Sequence, residues 1–218
     1  MRDDMDPLGE IIDRIREALT VENGARDQAL QRSRGLTRLC AHAIRATHRE
    51  EWQVATDKID QARDEATALR DDLSAFPDLY HAGYTQDALK EYVEAVLTYA
   101  IIRGEPLPSP ESLSVEPSTY LGGLAEAATE LRRRILDILR HRHAQEAERL
   151  LAAMDAIYDE LITIDFPDAI TQGLRRRSDV LRGVLERTRG DITNSLRQQE
   201  LQDALRDLER QLMAGGEG

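Results

Sequence analysis

A chain of 218 residues can bury a real core and still fit one domain; its 41 acids against 29 bases give a net charge of -12, which repels polyanions at long range. Only 4% of residues are aromatic, and Ala, Leu, Arg, Glu and Asp recur throughout, a composition that disfavours sheets and predicts an all-α fold. A single cysteine, Cys40, excludes an intrachain disulfide and a thiolate metal cluster, and no apolar run approaches the roughly 20 residues of a membrane span, so a cytoplasmic protein is expected.

Leu8, Ile11, Ile12, Ile15 and Leu19, then Leu30, Leu36, Leu39 and Ala43, recur at three- and four-residue steps. They predict one long first helix, or two separated at Asn23-Gly24. A second helix is expected from about Trp52 to Leu73, where Phe76-Pro77 blocks continuation. A third, about Thr85 to Arg103, carries the apolar positions Leu89, Tyr92, Val93, Val96, Tyr99 and Ala100, and Gly104 with Pro106 ends it. The segment from Glu105 to Pro117 holds four prolines and reads as a loop.

The fourth helix, about Ser118 to Arg140, starts with Gly122-Gly123, which would admit a neighbouring helix at close range. A fifth spans about Gln145 to Ile164. Asp165-Phe166-Pro167 reads as an N-cap opening a sixth, Gly190-Asp191 breaks it, and a last helix runs from about Thr193 to Met213 ahead of a glycine-rich tail. The sum is a bundle of about seven helices in one domain, residues 1–218.

With no glycine-rich phosphate loop, zinc motif or nucleophile elbow, the chemistry-bearing residues are carboxylates on helices. Asp87, Glu91 and Glu94 share a face of the third helix opposite its apolar stripe; Glu126 and Glu130 stand one turn apart on the fourth, Asp155 and Asp159 on the fifth. Such pairs fit either a solvated face or, if the faces meet, a site for Mg²⁺ or Mn²⁺, hard cations that take carboxylate oxygen.

Nearly all positive charge is arginine, since only Lys58 and Lys90 are lysines. Arg32, Arg34, Arg38 and Arg45 on the first helix, Arg132 to Arg134, and Arg175 to Arg177 are candidate phosphate contacts or partners of the many acids. His141 and His143 at a turn fit pairing with a helix C-terminus, and Trp52 with the scattered tyrosines fits core filling.

The word Leu89-Lys90-Glu91-Tyr92-Val93-Glu94-Ala95 resembles the Leu-Gln-Glu-Tyr-Val-Glu-Ala signature of translin-associated factor X (TRAX), with lysine for glutamine. Tyr120-Leu121-Gly122-Gly123 leading to Glu126 and Glu130-Leu131 is similar to the next family segment, and Ile157-Tyr158-Asp159 to the Val-Tyr-Asp word after it. Over roughly Ile11 to Arg210 the chain resembles the translin and TRAX family. Lys90, and Glu160 where glycine is frequent, depart from the pattern.

The resemblance implies a translin-type bundle closing into a homo-oligomer, an octamer among its forms, with acids facing inward. It implies a Mg²⁺-dependent endoribonuclease acting on single-stranded RNA, with DNA as a further ligand. The catalytic set is then Glu91, Glu94 and Asp159, and the metal set adds Glu130; Arg38, Arg45 and Arg133 are candidate phosphate contacts from their places on the helices, not from the resemblance. Translin-like members lack the acids, so the alternative is a non-catalytic RNA- or DNA-binding protein.

Overall fold

A computed structural model describes residues 6–140 and 144–215; His141 and His143, Met1 to Met5 and the last three residues of the tail lie outside the described residues. The order is α1 (Asp6–His48), α2 (Trp52–Asp72), α3 (Pro77–Tyr80), α4 (Gly83–Arg103), α5 (Pro110–Leu113), α6 (Pro117–Leu139), α7 (Ala144–Leu161), α8 (Asp168–Thr171) and α9 (Leu174–Gly215). The described residues contain no strand, as the composition requires. Among the described residues, six helices are long and three are single turns.

Two expected breaks are absent. α1 runs through Asn23-Gly24, and α9 runs through Gly190-Asp191. A mid-helix glycine costs about 1 kcal/mol against alanine, less than ending and restarting a helix with its unsatisfied backbone groups. In α9 the buried Thr188 and Ile192 flank Gly190 and hold both sides to the core. Asp165 does not cap a sixth helix either: Pro167 occupies the N-cap of α8, and a left-handed pair at Gln172 and Gly173 then turns the chain into α9.

The chain forms two compact units, residues 1–99 with 108–123, and residues 100–107 with 124–218. In the first, α1 and α2 form an antiparallel hairpin: Arg32 donates to Asp72 at 2.5 Å and to both oxygens of Glu65 at 3.2 Å, while Gln28 reaches Asp72 at 2.9 Å. Small buried residues, Ala43, Ala55, Ala62 and Ala66, let the helices pack, and Leu36, Leu69, Leu89 and Tyr92 fill the core. Trp52 meets Tyr99 edge to face at 6.3 Å, both rings half-buried at the margin of the core that the sequence context placed them in. At about 1.5 Å per residue α1 is roughly twice the length of α2, so its first five turns run past the hairpin with Leu8, Ile11, Ile12, Ile15 and Leu19 about half exposed.

Also in this unit, Gly123 of α6 sits directly on α4. A Cβ at Gly123 would stand 2.6 Å from Val93 Cβ and 2.9 Å from the Lys90 carbonyl oxygen. The second unit is built on Leu131, Ile135, Leu150, Met154, Leu161 and Leu181. There Arg149 of α7 donates to the carbonyls of Ile101 and Ile102 at 2.9 Å, satisfying the open C-terminal end of α4, which Gly104 terminates at φ +70°. Buried Arg134 binds Glu146 through two nitrogens at 3.0 and 3.2 Å.

These contacts predict opposite signs for two glycine substitutions. Gly123→Ala forces backbone and Val93 apart and should cost about 1 to 3 kcal/mol, whereas Gly24→Ala, with nothing within 4 Å of the added carbon, should gain about 0.5 to 1 kcal/mol. Urea unfolding of the two variants measures both.

Candidate functional site

The acids of α4 do not sit on a solvated face. Only Asp87 is exposed; Glu91 and Glu94 are half-buried, because α4 is buried on nearly every side by Leu89, Tyr92, Val93, Ala95, Val96 and Leu97. Glu91 and Glu94 bring carboxylate oxygens within 4.8 Å of each other. Like charges at this range in a partly dry setting repel, and a hard dication offsets that repulsion with the ligand atoms it prefers. Lys90 Nζ, 4.0 Å from Glu91, supplies part of the balance.

The charges of both glutamates reach α1. Burial first, then Glu91 and Glu94, push the Cys40 thiol far above its ordinary range, so this cysteine is an inert core residue and no nucleophile. Burial also raises the Tyr92 hydroxyl, opposed by its hydrogen bond with Arg63, which anchors the residue between the two acids.

The remaining expected site residues lie in the second unit. Glu130 is half-buried and pairs with Arg133 at 3.6 Å, so an expected ligand and an expected phosphate contact neutralise each other. Asp159 is exposed on α7. Glu126, one turn past Gly123 on α6, accepts from Arg177 at 3.3 Å, and Asp155 from Arg189 at 2.6 Å.

Among the arginines, geometry separates structural from available charge. Arg32, Arg132, Arg134 and Arg177 are committed to acids. Arg34, Arg38 and Arg45 are exposed, and no carboxylate pairs with them among the described residues. At 3.6 residues per turn they fall within about 40° of one another around α1 and span about 16 Å along it, on the side away from Arg32. Arg34 and Arg38 border a cleft of about 560 Å³ between α1 and α4 that reaches Glu91. Ser33 and Tyr84 also line this cleft; sequence reasoning missed both, since a lone hydroxyl on a helix gives no signal.

The comparisons now bear on this geometry. No family model matches the chain. An uncharacterized protein of Methanocaldococcus jannaschii is 31% identical over 204 residues, which cover 93% of this chain and 88% of that protein. The solved structure of AfC3PO with duplex RNA aligns at 31% identity and a TM-score of 0.71, over 84% of this chain and 95% of that chain. The chain belongs to the translin family. A crystal structure of AfC3PO gives a TM-score of 0.72 at the same identity, and apo-NeC3PO gives 0.76 at 23% identity, a likeness of fold alone. For this translin-family member the expected bundle architecture holds, and among the described residues no helix is long and apolar enough to cross a membrane.

The sorting of arginines has a direct test. Arg32→Gln should lose roughly 1 to 3 kcal/mol, because half-buried Glu65 and the more exposed Asp72 both lose their partner, while Arg38→Gln and Arg45→Gln should stay within about 0.5 kcal/mol of the parent. Equal destabilisation by all three in denaturant titrations would reject the distinction.

Proposed function

We propose that this translin-family chain is a TRAX-like, divalent-metal-dependent endoribonuclease that binds single-stranded RNA and hydrolyses its phosphodiester bonds. The observation that carries the reading is the approach of the Glu91 and Glu94 carboxylates in a half-buried setting, on the unit that also presents the unpaired stripe Arg34, Arg38 and Arg45. AfC3PO, the relative with duplex RNA, supports RNA as the ligand class.

Glu91 and Glu94 fit a hard cation, Mg²⁺ or Mn²⁺, with Asp159 and Glu130 proposed as further members of its set. When bound, such a cation activates a water and stabilises charge on the transferring phosphoryl group. The chain's own residues do the rest. The arginine stripe takes successive phosphates against the net charge of -12, and Lys90 balances Glu91 before the cation enters.

Assembly belongs to the same proposal. The exposed stripes Leu8, Ile11, Ile12, Ile15 and Leu19 on α1 and Leu201, Leu205, Leu208 and Leu212 on α9 recur at coiled-coil spacing on helix arms that bury nothing. Isolated arms of this length are marginal in water, so homo-oligomer formation accounts for their apolar faces. Light scattering should return a mass several times 24.6 kDa, and a stable monomer would reject the closed assembly.

A second reading, a translin-like binder without cleavage, is favoured by Glu130 being engaged with Arg133 and by Asp159 standing exposed. Single substitutions Glu91→Gln, Glu94→Gln and Asp159→Asn decide between them, with Asp64→Asn on α2 as control. On the enzymatic reading each of the three lowers cleavage of labelled RNA by orders of magnitude and removes the rise in melting temperature given by Mg²⁺, while RNA binding in EDTA persists. Full cleavage by all three leaves the binding role. Binding in either case should weaken steeply with monovalent salt, since it runs through arginine and phosphate.

A further inference from the structure

The cleft between α1 and α4 holds a combination that neither the acids nor the arginine stripe requires. Its mouth carries the exposed guanidinium groups of Arg34 and Arg38, its wall is apolar at Leu30 and Ala88, and it opens beside Glu91. Ser33, only 5% exposed, and Tyr84 both line it, and each keeps a buried hydroxyl without a hydrogen-bond partner. Two orphaned hydroxyls in one small cleft are expensive, because a buried polar group without a partner forfeits its hydration.

We infer that this cleft is a pocket for one nucleotide of the bound strand: phosphate on Arg34 and Arg38, base against Leu30 and Ala88, and the polar edge of sugar or base on Ser33 and Tyr84. A nucleotide presents the three chemistries the cleft lines up, an anion, a flat apolar face and several hydrogen-bonding groups. The volume of about 560 Å³ falls in the usual range for a small-molecule site. Seated there, a nucleotide brings its neighbouring phosphate to the Glu91 end of the cleft. The pocket therefore sets which bond lies at the carboxylates, and it selects an unstacked, single-stranded nucleotide over one held in a duplex. This rests on the RNA-binding reading above for its occupant, and on the cleft alone for its chemistry.

The test titrates UMP and inorganic phosphate into the full chain in EDTA by calorimetry, beside filter binding of a labelled 20-nucleotide oligouridylate. UMP should bind at least about tenfold more tightly than phosphate. Ser33→Ala and Tyr84→Phe should each weaken UMP by roughly 5- to 30-fold while phosphate binding and the melting temperature hold, since no existing hydrogen bond is lost. Arg34→Gln and Arg38→Gln should weaken both ligands. UMP binding no tighter than phosphate, or binding unaffected by both hydroxyl variants, overturns the pocket. Failure of the broader reading looks different: the oligouridylate then goes unbound while UMP still distinguishes parent from variants.

Discussion

Helix α4 carries two glutamates through a segment that has almost no solvated surface to give them. Its neighbours on either side in sequence, Leu89, Tyr92, Val93, Ala95 and Val96, are all in the core, and Gly123 brings α6 so near that a single methyl group would collide with Val93 and the Lys90 carbonyl. The carboxylates of Glu91 and Glu94 are half-buried and end within 4.8 Å of each other. A protein selected only for stability gains nothing from that arrangement, since mutual repulsion and partial desolvation both raise its energy.

Around this constraint the arginines divide their labour. Within the hairpin Arg32 ties Glu65 and Asp72; within the second unit Arg134 ties Glu146, and Arg149 donates to the carbonyls at the end of α4. The opposite side of α1 presents Arg34, Arg38 and Arg45 without such partners among the described residues. A chain of net charge -12 that leaves three arginines unspent along one line concentrates positive potential where the global field is negative, and this is what local binding of a polyanion requires.

The exposed apolar stripes of α1 and α9 carry a related logic at larger scale. Helices that project beyond their packing partner depend on burial elsewhere, and the regular spacing of Leu201, Leu205, Leu208 and Leu212 suits another helix better than it suits water.

Much of this was legible in the chain itself. Periodicity and proline placement gave α1, α2, α4, α6 and α7 nearly to their ends, because an amphipathic repeat and a missing N–H act locally, whereas α9 reads as two helices in the sequence. The Glu-Tyr-Val-Glu word marked the acids, and Gly122-Gly123 marked a close approach of helices. Other features were decided only by tertiary structure. Gly190 could not be read as a helix interior until Thr188 and Ile192 were seen buried beside it. Arg32 and Arg38 look alike in sequence, and only the position of α2 makes one a structural tie and the other an open charge. The cleft bringing Ser33 and Tyr84 together comes from residues more than 40 positions apart, for which a helical repeat contains no term. Local spacing fixes which side of a helix a residue occupies; what stands on that side is set by packing.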